Sequence, residues 1–286
     1  MQHGPAVRRR KLGAELRALR TSAGLTSGEA AGLVGWHQSK VSRIETGTSG
    51  AKPNDVRLLL DAYGVADDRL RELLLVLASA HDAGGRNHWW HAYRGELPST
   101  YRDFISLEAQ ASAMRTLETT VVPGLLQTPE YARAVTGAAV EGLSEERLDA
   151  LVEVRLARQD VLHRRRPLTL SAVLDEAVLR REVGGPAVMS RQLRKLTEAA
   201  EMPHVRLHVL PFSAGAHMGV TGPFVIFSFA RTSDLDVVVL DHLTSSLHLE
   251  RKEDLEAYTE AFDSLLNHAL PPEESLEFIA GMTGGA

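Results

Sequence analysis

Within the six positions 38 to 43 the chain sets an amide, two hydroxyls, an ammonium and a guanidinium: Gln38, Ser39, Lys40, Ser42 and Arg43. These side chains donate to and accept from base edges and donate to phosphate oxygens, so the chemistry they can do together is recognition of a nucleic acid duplex. Recognition of that kind needs a rigid mount. Val41 and Ile44, three apart, give a helix one inward apolar face, while Gln38, Ser39 and Arg43 project the other way.

The residues just upstream would hold that helix in place. Thr26 can cap a preceding helix through its hydroxyl, with Glu29 three residues on reaching back as a capping box. Ala31 is small enough for two helices to touch, and Gly35 can take the positive φ that reverses the chain within a tight turn. Residues 27 to 45 therefore read as a helix-turn-helix. The alternative is an ordinary helical hairpin whose polar face is merely solvated.

Charge favours the first reading. Residues 1 to 60 hold ten Lys/Arg against four Asp/Glu, or +6, in a chain of net charge −5, which leaves the remainder near −11. Such asymmetry fits a nucleic-acid-binding head on an acidic body. The run Arg8-Arg9-Arg10-Lys11 could reach phosphate or a minor groove, or simply be a solvated helix start. Leu12, Leu16 and Leu19, then Val56, Leu59, Leu60 and Tyr63, then Leu70, Leu73, Leu74 and Leu77 continue the helical period. Pro53-Asn54-Asp55 reads as a helix start and Gly64 as a stop, giving about five helices in the first eighty residues.

These residues resemble the XRE, or phage-repressor, type of helix-turn-helix over roughly residues 8 to 80. The resemblance implies that Gln38, Ser39 and Arg43 contact bases, that Ser27, Lys40 and the loop around Lys52 and Asn54 contact phosphates, and that Arg20 and Glu45 form an internal ion pair. The chain departs from the family pattern twice. Ser27 replaces the usual glutamine at the start of the first motif helix, which weakens the expected phosphate clamp, and His37 stands where a capping Ser or Thr is usual.

About two hundred residues follow, enough for one sizeable core or two small ones. A boundary is expected at Asp82 to Asn87, where Ala-Gly-Gly-Arg interrupts the helical pattern ahead of His88-Trp89-Trp90-His91. Adjacent tryptophans on a regular element cannot both enter one core. Helices are expected near 105–117, 129–140, 144–163, 175–181, 187–200 and 250–267, and strands at 168–174, 205–210, 223–229 and 235–240. The Val237-Val238-Val239 run suits a strand covered on both faces. The fold class is thus an N-terminal all-α helix-turn-helix domain plus a C-terminal mixed α/β domain: residues 1–83, a linker at 84–100, the α/β domain at 101–275 and a flexible tail at 276–286.

Catalytic signals are thin. There is no cysteine, which excludes disulfides, thiolate catalysis and Cys-liganded zinc, and there is no Gly-rich phosphate loop, nucleophile elbow or zinc-protease helix. His204 and His208 share a strand face but sit about 13 Å apart, too far for one ion, and read as half-buried histidines satisfied by backbone groups. Asp175 and Glu176 could act as acid or base, or could cap a helix. Pro123 to Thr128 and Pro211 to His217 are punctuated like turns that shape a groove. No cofactor or metal is expected. No apolar run nears membrane-spanning length and no signal peptide is recognisable, so the expected place is the cytoplasm.

The second half also resembles the C-terminal domain, described only as of unknown function, of actinobacterial WhiJ-like regulators. The resemblance rests on Trp89-Trp90-x-x-Tyr93, Glu108-Ala109, Glu118 to Ala132 with Pro-Gly-Leu-Leu-Gln-Thr, Arg155-x-x-Arg158-Gln159, Leu174-Asp175-Glu176-Ala177-x-Leu179-Arg180, Gln192-Leu193 and Val209-Leu210-Pro211-Phe212. It implies a transcription regulator, often encoded beside a small partner protein in an arrangement like a toxin–antitoxin pair. The resulting expectation is a homodimeric binder of double-stranded DNA, without enzymatic activity, whose second domain takes a small partner protein or ligand. An antitoxin that neutralises its partner and regulates its own promoter is the alternative, and an enzyme in the α/β domain a third.

Overall fold

The computed structural model describes residues 4–82, 89–93, 95, 97–140, 142–229 and 236–283. The interruption expected at Ala83 to Asn87, the strand start at Leu235 and the end of the expected tail at 284–286 lie outside those residues, as do the side chains of Arg8 to Lys11. The chain divides into two compact units, Met1–Ala92 with Ser99–Ser106 and Tyr93–Pro98 with Leu107–Ala286.

Among its described residues the first unit contains five helices ahead of the Trp89–Tyr93 turn: α1 (Gly4–Ser22), α2 (Ser27–Leu33), α3 (Gln38–Glu45), α4 (Pro53–Ala62) and α5 (Asp68–Asp82). Leu12 and Leu16 of α1, Val41 and Ile44 of α3, Val56, Leu59 and Leu60 of α4, and Leu74 and Leu77 of α5 are buried, so the i, i+3, i+4 period marks the core. Each fully buried aliphatic side chain contributes about 1.5–3 kcal/mol. The Trp89–Tyr93 3₁₀ turn sets Trp89 and Trp90 edge to face at 5.5 Å, with Trp90 buried and Trp89 exposed.

The second unit is built on a six-stranded mixed sheet: β1 (Ala113–Glu118), β2 (Thr169–Asp175), β3 (Val205–Leu210), β4 (Phe224–Ser228), β5 (Val237–Asp241) and β6 (Ser246–Leu249), in the order β3-β2-β1-β4-β5-β6. β1 pairs in parallel with β2 (Ala113 opposite Thr169) and antiparallel with β4 (Ala113 opposite Ser228). Two crossovers, α7 (Pro129–Ala139) with α8 (Glu145–Ala157) and α9 (Glu176–Arg180) with α10 (Pro186–Ala200), build the parallel half. Phe262 and Leu265 of α11 (Lys252–His268) pack with Leu117, Phe224, Ile226 and Val238 of the sheet. Val237, Val238 and Val239 are all buried, as their run implied.

Three expected elements take another form, and β6 has no counterpart in the sequence reading. The helix expected over 105–117 is two elements: α6 (Ser99–Gln110) ends and β1 takes the rest. Ala113, Met114, Leu117 and Glu118 favour helix intrinsically, but a central strand bonds its backbone on both sides, and that tertiary gain overrides a preference of a few tenths of a kcal/mol per residue. The helix expected over 144–163 gives way after Ala157 to a 3₁₀ turn, Arg158–Leu162. Residues 276–283 of the expected flexible tail continue α12 (Pro272–Thr283), whose Ile279 is fully buried. Its start closes the edge of β3: Leu270 N donates to Val209 O (2.8 Å) and Val209 N donates to Ser275 Oγ (2.9 Å). Among the described residues no helix is long and apolar enough to cross a membrane.

Candidate nucleic-acid interface

The α2–turn–α3 pair is specified by local hydrogen bonds. Thr26 Oγ1 accepts from Glu29 N (3.2 Å) and Glu29 Oε2 accepts from Thr26 N (2.7 Å), the reciprocal box that starts α2. The Thr26 hydroxyl and N–H hold the Glu29 carboxyl below its ordinary pKa. Ala30 and Ala31 are buried, and the chain then reverses at Gly35 (φ 68°), with Trp36 N donating to Ala31 O at 2.8 Å. A side chain at Gly35 would be strained at this φ. His37 caps α3: its Nδ1 accepts from Ser39 N at 3.3 Å, so the imidazole supplies the acceptor that Ser or Thr usually gives.

The far end of α3 is fixed as firmly. Arg20 of α1 donates from Nε and Nη2 to the two carboxylate oxygens of Glu45 (2.6 and 2.9 Å) and from Nη1 to Leu25 O (2.6 Å). This bidentate pair, with Glu45 buried, raises the pKa of the Arg20 guanidinium. Burial and then the Glu45 charge push the nearby Tyr63 phenol up to about 12. Sequence reasoning missed Gly13, whose α-carbon lies against the end of α3; a Cβ there would stand 2.5 Å from the carbonyl oxygens of Ile44 and Glu45. Nothing in the sequence distinguishes this helical glycine from Gly28 or Gly32, which have open space or ordinary contact around them.

Between these clamps, Gln38, Ser39, Ser42 and Arg43 are exposed on one face of α3, while Val41 and Ile44 are buried on the other. Gln38 Nε2 donates to Ser27 Oγ at 3.1 Å, so Ser27 is tied to the start of α3 despite being shorter than the usual glutamine. Arg43 Nε donates to Ser39 O at 3.2 Å, which lays the guanidinium along the helix. Lys52 and Asn54 are exposed at the start of α4. Lys40 is turned aside: its ammonium lies 2.9 Å from Asp55 Oδ1 and 3.5 Å from the centroid of the Trp36 ring. Asp55 and Trp36 thus belong to the constellation although sequence reasoning gave them no part in it; Asp55 entered that reading only as part of a helix start.

Several motif residues of the second unit bond one another and the backbone. Arg158 pairs with Glu108 through Nε and Nη2 (2.8 and 2.7 Å), both groups buried. Gln127 Nε2 donates to Val122 O, Gln159 Nε2 to Gln127 O and Gln192 Nε2 to Leu126 O, each at 2.7 Å, while Gln192 Oε1 accepts from Thr128 N at 2.8 Å. Arg155, Tyr131 and Lys195 extend the network by bonding Gln127 Oε1, Val122 N and Gln159 Oε1. The Pro123–Thr128 turn is therefore held by the buried amides of Gln127 and Gln192 and the half-buried amide of Gln159, which costs little while every partner is present. Glu118, at the end of β1, is half-buried; burial pushes its carboxyl up to about 7 against the Thr116 hydroxyl and the Arg158 charge, which lower it.

Asp175 Oδ1 accepts from Ala177 N (2.8 Å) and caps α9, while Glu176 accepts from Arg180 Nε (2.5 Å) and Phe212 N (2.7 Å). Burial raises the Glu176 pKa, but the Phe212 N–H and Arg180 outweigh it and leave the carboxyl below its ordinary value. His204 Nε2 bonds Leu162 O (2.9 Å) and His208 Nδ1 bonds Leu270 O (3.2 Å). No three His, Asp or Glu side chains among the described residues are grouped to hold a metal ion.

Comparison with known proteins agrees with this division. A helix-turn-helix domain family matches residues 11–74, and a domain of unknown function, DUF5753, matches residues 101–281. No curated protein and no solved structure matches the chain. With its second match spanning well over half of its length, behind a helix-turn-helix head, the chain belongs to the DUF5753 family.

Proposed function

We propose that the chain is a sequence-specific transcriptional regulator that binds double-stranded DNA as a homodimer in the cytoplasm. In this reading Gln38, Ser39 and Arg43, flanked by Ser42, address base edges, and Ser27, Lys52 and Asn54 address phosphates. The observation that carries it is the polar, exposed face of α3, a rod clamped at both ends by the His37 cap and the Arg20–Glu45 pair. Eight residues make a rod about 12 Å long, which fits one major-groove half-site; two-fold pairing supplies a second. The second unit takes a small partner protein or ligand that biases DNA affinity, and it does so by binding rather than catalysis, since Asp175 and Glu176 are spent on capping and on Phe212 N and Arg180.

The test is selection of an operator from a random duplex library, followed by affinity measurements. Alanine at Gln38, Ser39 and Arg43 together abolishes preference for the selected site, and Arg43→Ala alone costs about 1–3 kcal/mol of discrimination at one base position. Unchanged preference in the triple variant overturns the reading.

A further inference from the structure

Lys40 has the composition of a phosphate contact and the geometry of something else. It occupies the third position of α3, where the positive end of the helix dipole disfavours a cation. Its ammonium lies against the Trp36 ring at 3.5 Å and is met by Asp55 Oδ1 at 2.9 Å. Asp55 occupies the third position of α4, where a carboxylate is favoured, and its Oδ2 also accepts from Lys52 N at 3.2 Å. One carboxylate thus joins the start of the recognition rod to the start of the next helix, where Lys52 and Asn54 stand exposed.

We propose that Asp55 is a positioning residue that withholds the Lys40 ammonium from DNA and uses it to fix α3 relative to the Lys52–Asn54 turn, so that Lys40 sets geometry instead of neutralising a phosphate. This rests on the DNA-binding reading. The ring and the carboxylate satisfy the ammonium from two sides, which a screened, solvated phosphate contact has to displace. Base-reading groups on α3 and phosphate-reading groups on α4 then approach the duplex at one fixed spacing.

Salt dependence separates a held lysine from a contacting one, because each phosphate neutralised steepens the slope of log K against log salt by about 0.9. The full-length wild type, Asp55→Asn and the double variant Asp55→Asn/Lys40→Met are titrated with the selected operator and with a random duplex from 50 to 200 mM salt. The double variant keeps the wild-type net charge. If Asp55 holds Lys40 back, Asp55→Asn frees it: the slope steepens by about 0.9, so the affinity lost over that salt range grows by a further factor of about 3.5, and the random duplex gains relative to the operator. The double variant returns to the wild-type slope while its operator preference stays reduced. The proposal is overturned if Asp55→Asn leaves the slope where it was, or if the double variant falls about 0.9 below wild type, since Lys40 then already touches phosphate. Failure of the underlying reading looks different: the wild type itself selects no operator.

Discussion

Gly13→Ala and Gly32→Ala make the same chemical change in two helices and should have opposite effects. At Gly13 the added carbon would stand 2.5 Å from Ile44 O and Glu45 O and 2.8 Å from Glu45 C, about 0.9 Å inside ordinary contact, and all three atoms are backbone. Neither helix can yield by turning a side chain, so α1 must retreat from α3 and strain the Arg20–Glu45 pair beside it. Overpacking of this kind costs about 1–3 kcal/mol, and rigid neighbours place it near the top of that range. Alanine returns about 1 kcal/mol of helix propensity, which leaves a net loss of about 2 kcal/mol. At Gly32 nothing lies within 4 Å, so the propensity gain stands alone and the head is stabilised by up to about 1 kcal/mol. Hydrogen exchange of the α1 and α3 amides in the full chain reads the head without interference from the second unit. Gly13→Ala should speed the slowest of these amides roughly thirtyfold and Gly32→Ala should slow them. Equal or greater protection in Gly13→Ala would refute the close contact of α1 with the end of α3.

Two further outcomes test the second unit. Because burial holds the folded Glu118 pKa near 7, above its ordinary 4.5, the fold favours the protonated carboxyl; stability is complete below pH 4.5 and is lost as pH rises through about 7. Glu118→Gln should therefore be more stable than wild type by about 3 kcal/mol at pH 8 and by less than about 1 kcal/mol at pH 5, and a pH-independent difference in thermal unfolding would contradict the assignment. Gln192→Leu orphans Thr128 N and Leu126 O in a fully buried site, so thermal unfolding should show a loss of about 2–5 kcal/mol, whereas an unchanged melting temperature would mean that the amide holds nothing.

The head was legible because its determinants are close in sequence. Thr26 and Glu29 are three apart, Gly35 turns the chain between α2 and α3, and Pro53 opens α4. The candidate site was legible in its residue types and less so in its geometry: Gln38, Ser39, Ser42 and Arg43 lie exposed together, but nothing local announces that Asp55, fifteen residues on, captures Lys40. In the second unit the strands rich in Val and Leu were readable. β1 was not, because Ala-Met-Arg-Thr-Leu-Glu becomes a strand only through partners at Thr169 to Leu174 and Phe224 to Ser228. β6 is four residues long and carries too little alternation to register. α12 carried signals that went unread, Pro272 at its start and Glu273 and Glu274 in its first turn.

The placement of β1 has a consequence for how the molecule is made. A ribosome delivers the head first, and its contacts, the longest in sequence running from α1 to α5, can close once Asp82 has emerged; β1 emerges next, destined for the middle of a sheet most of which has not been synthesised. At about 5–20 residues per second, roughly 8–30 s pass between the end of β1 and the arrival of Ser275, which seals the last edge. Throughout that interval a finished head is tethered to a sticky, half-born body. Translation arrest anywhere in that window leaves a complete helical head joined to strands whose faces and edges lack their partners, so the aggregation hazard of synthesis belongs to the body and not to the head.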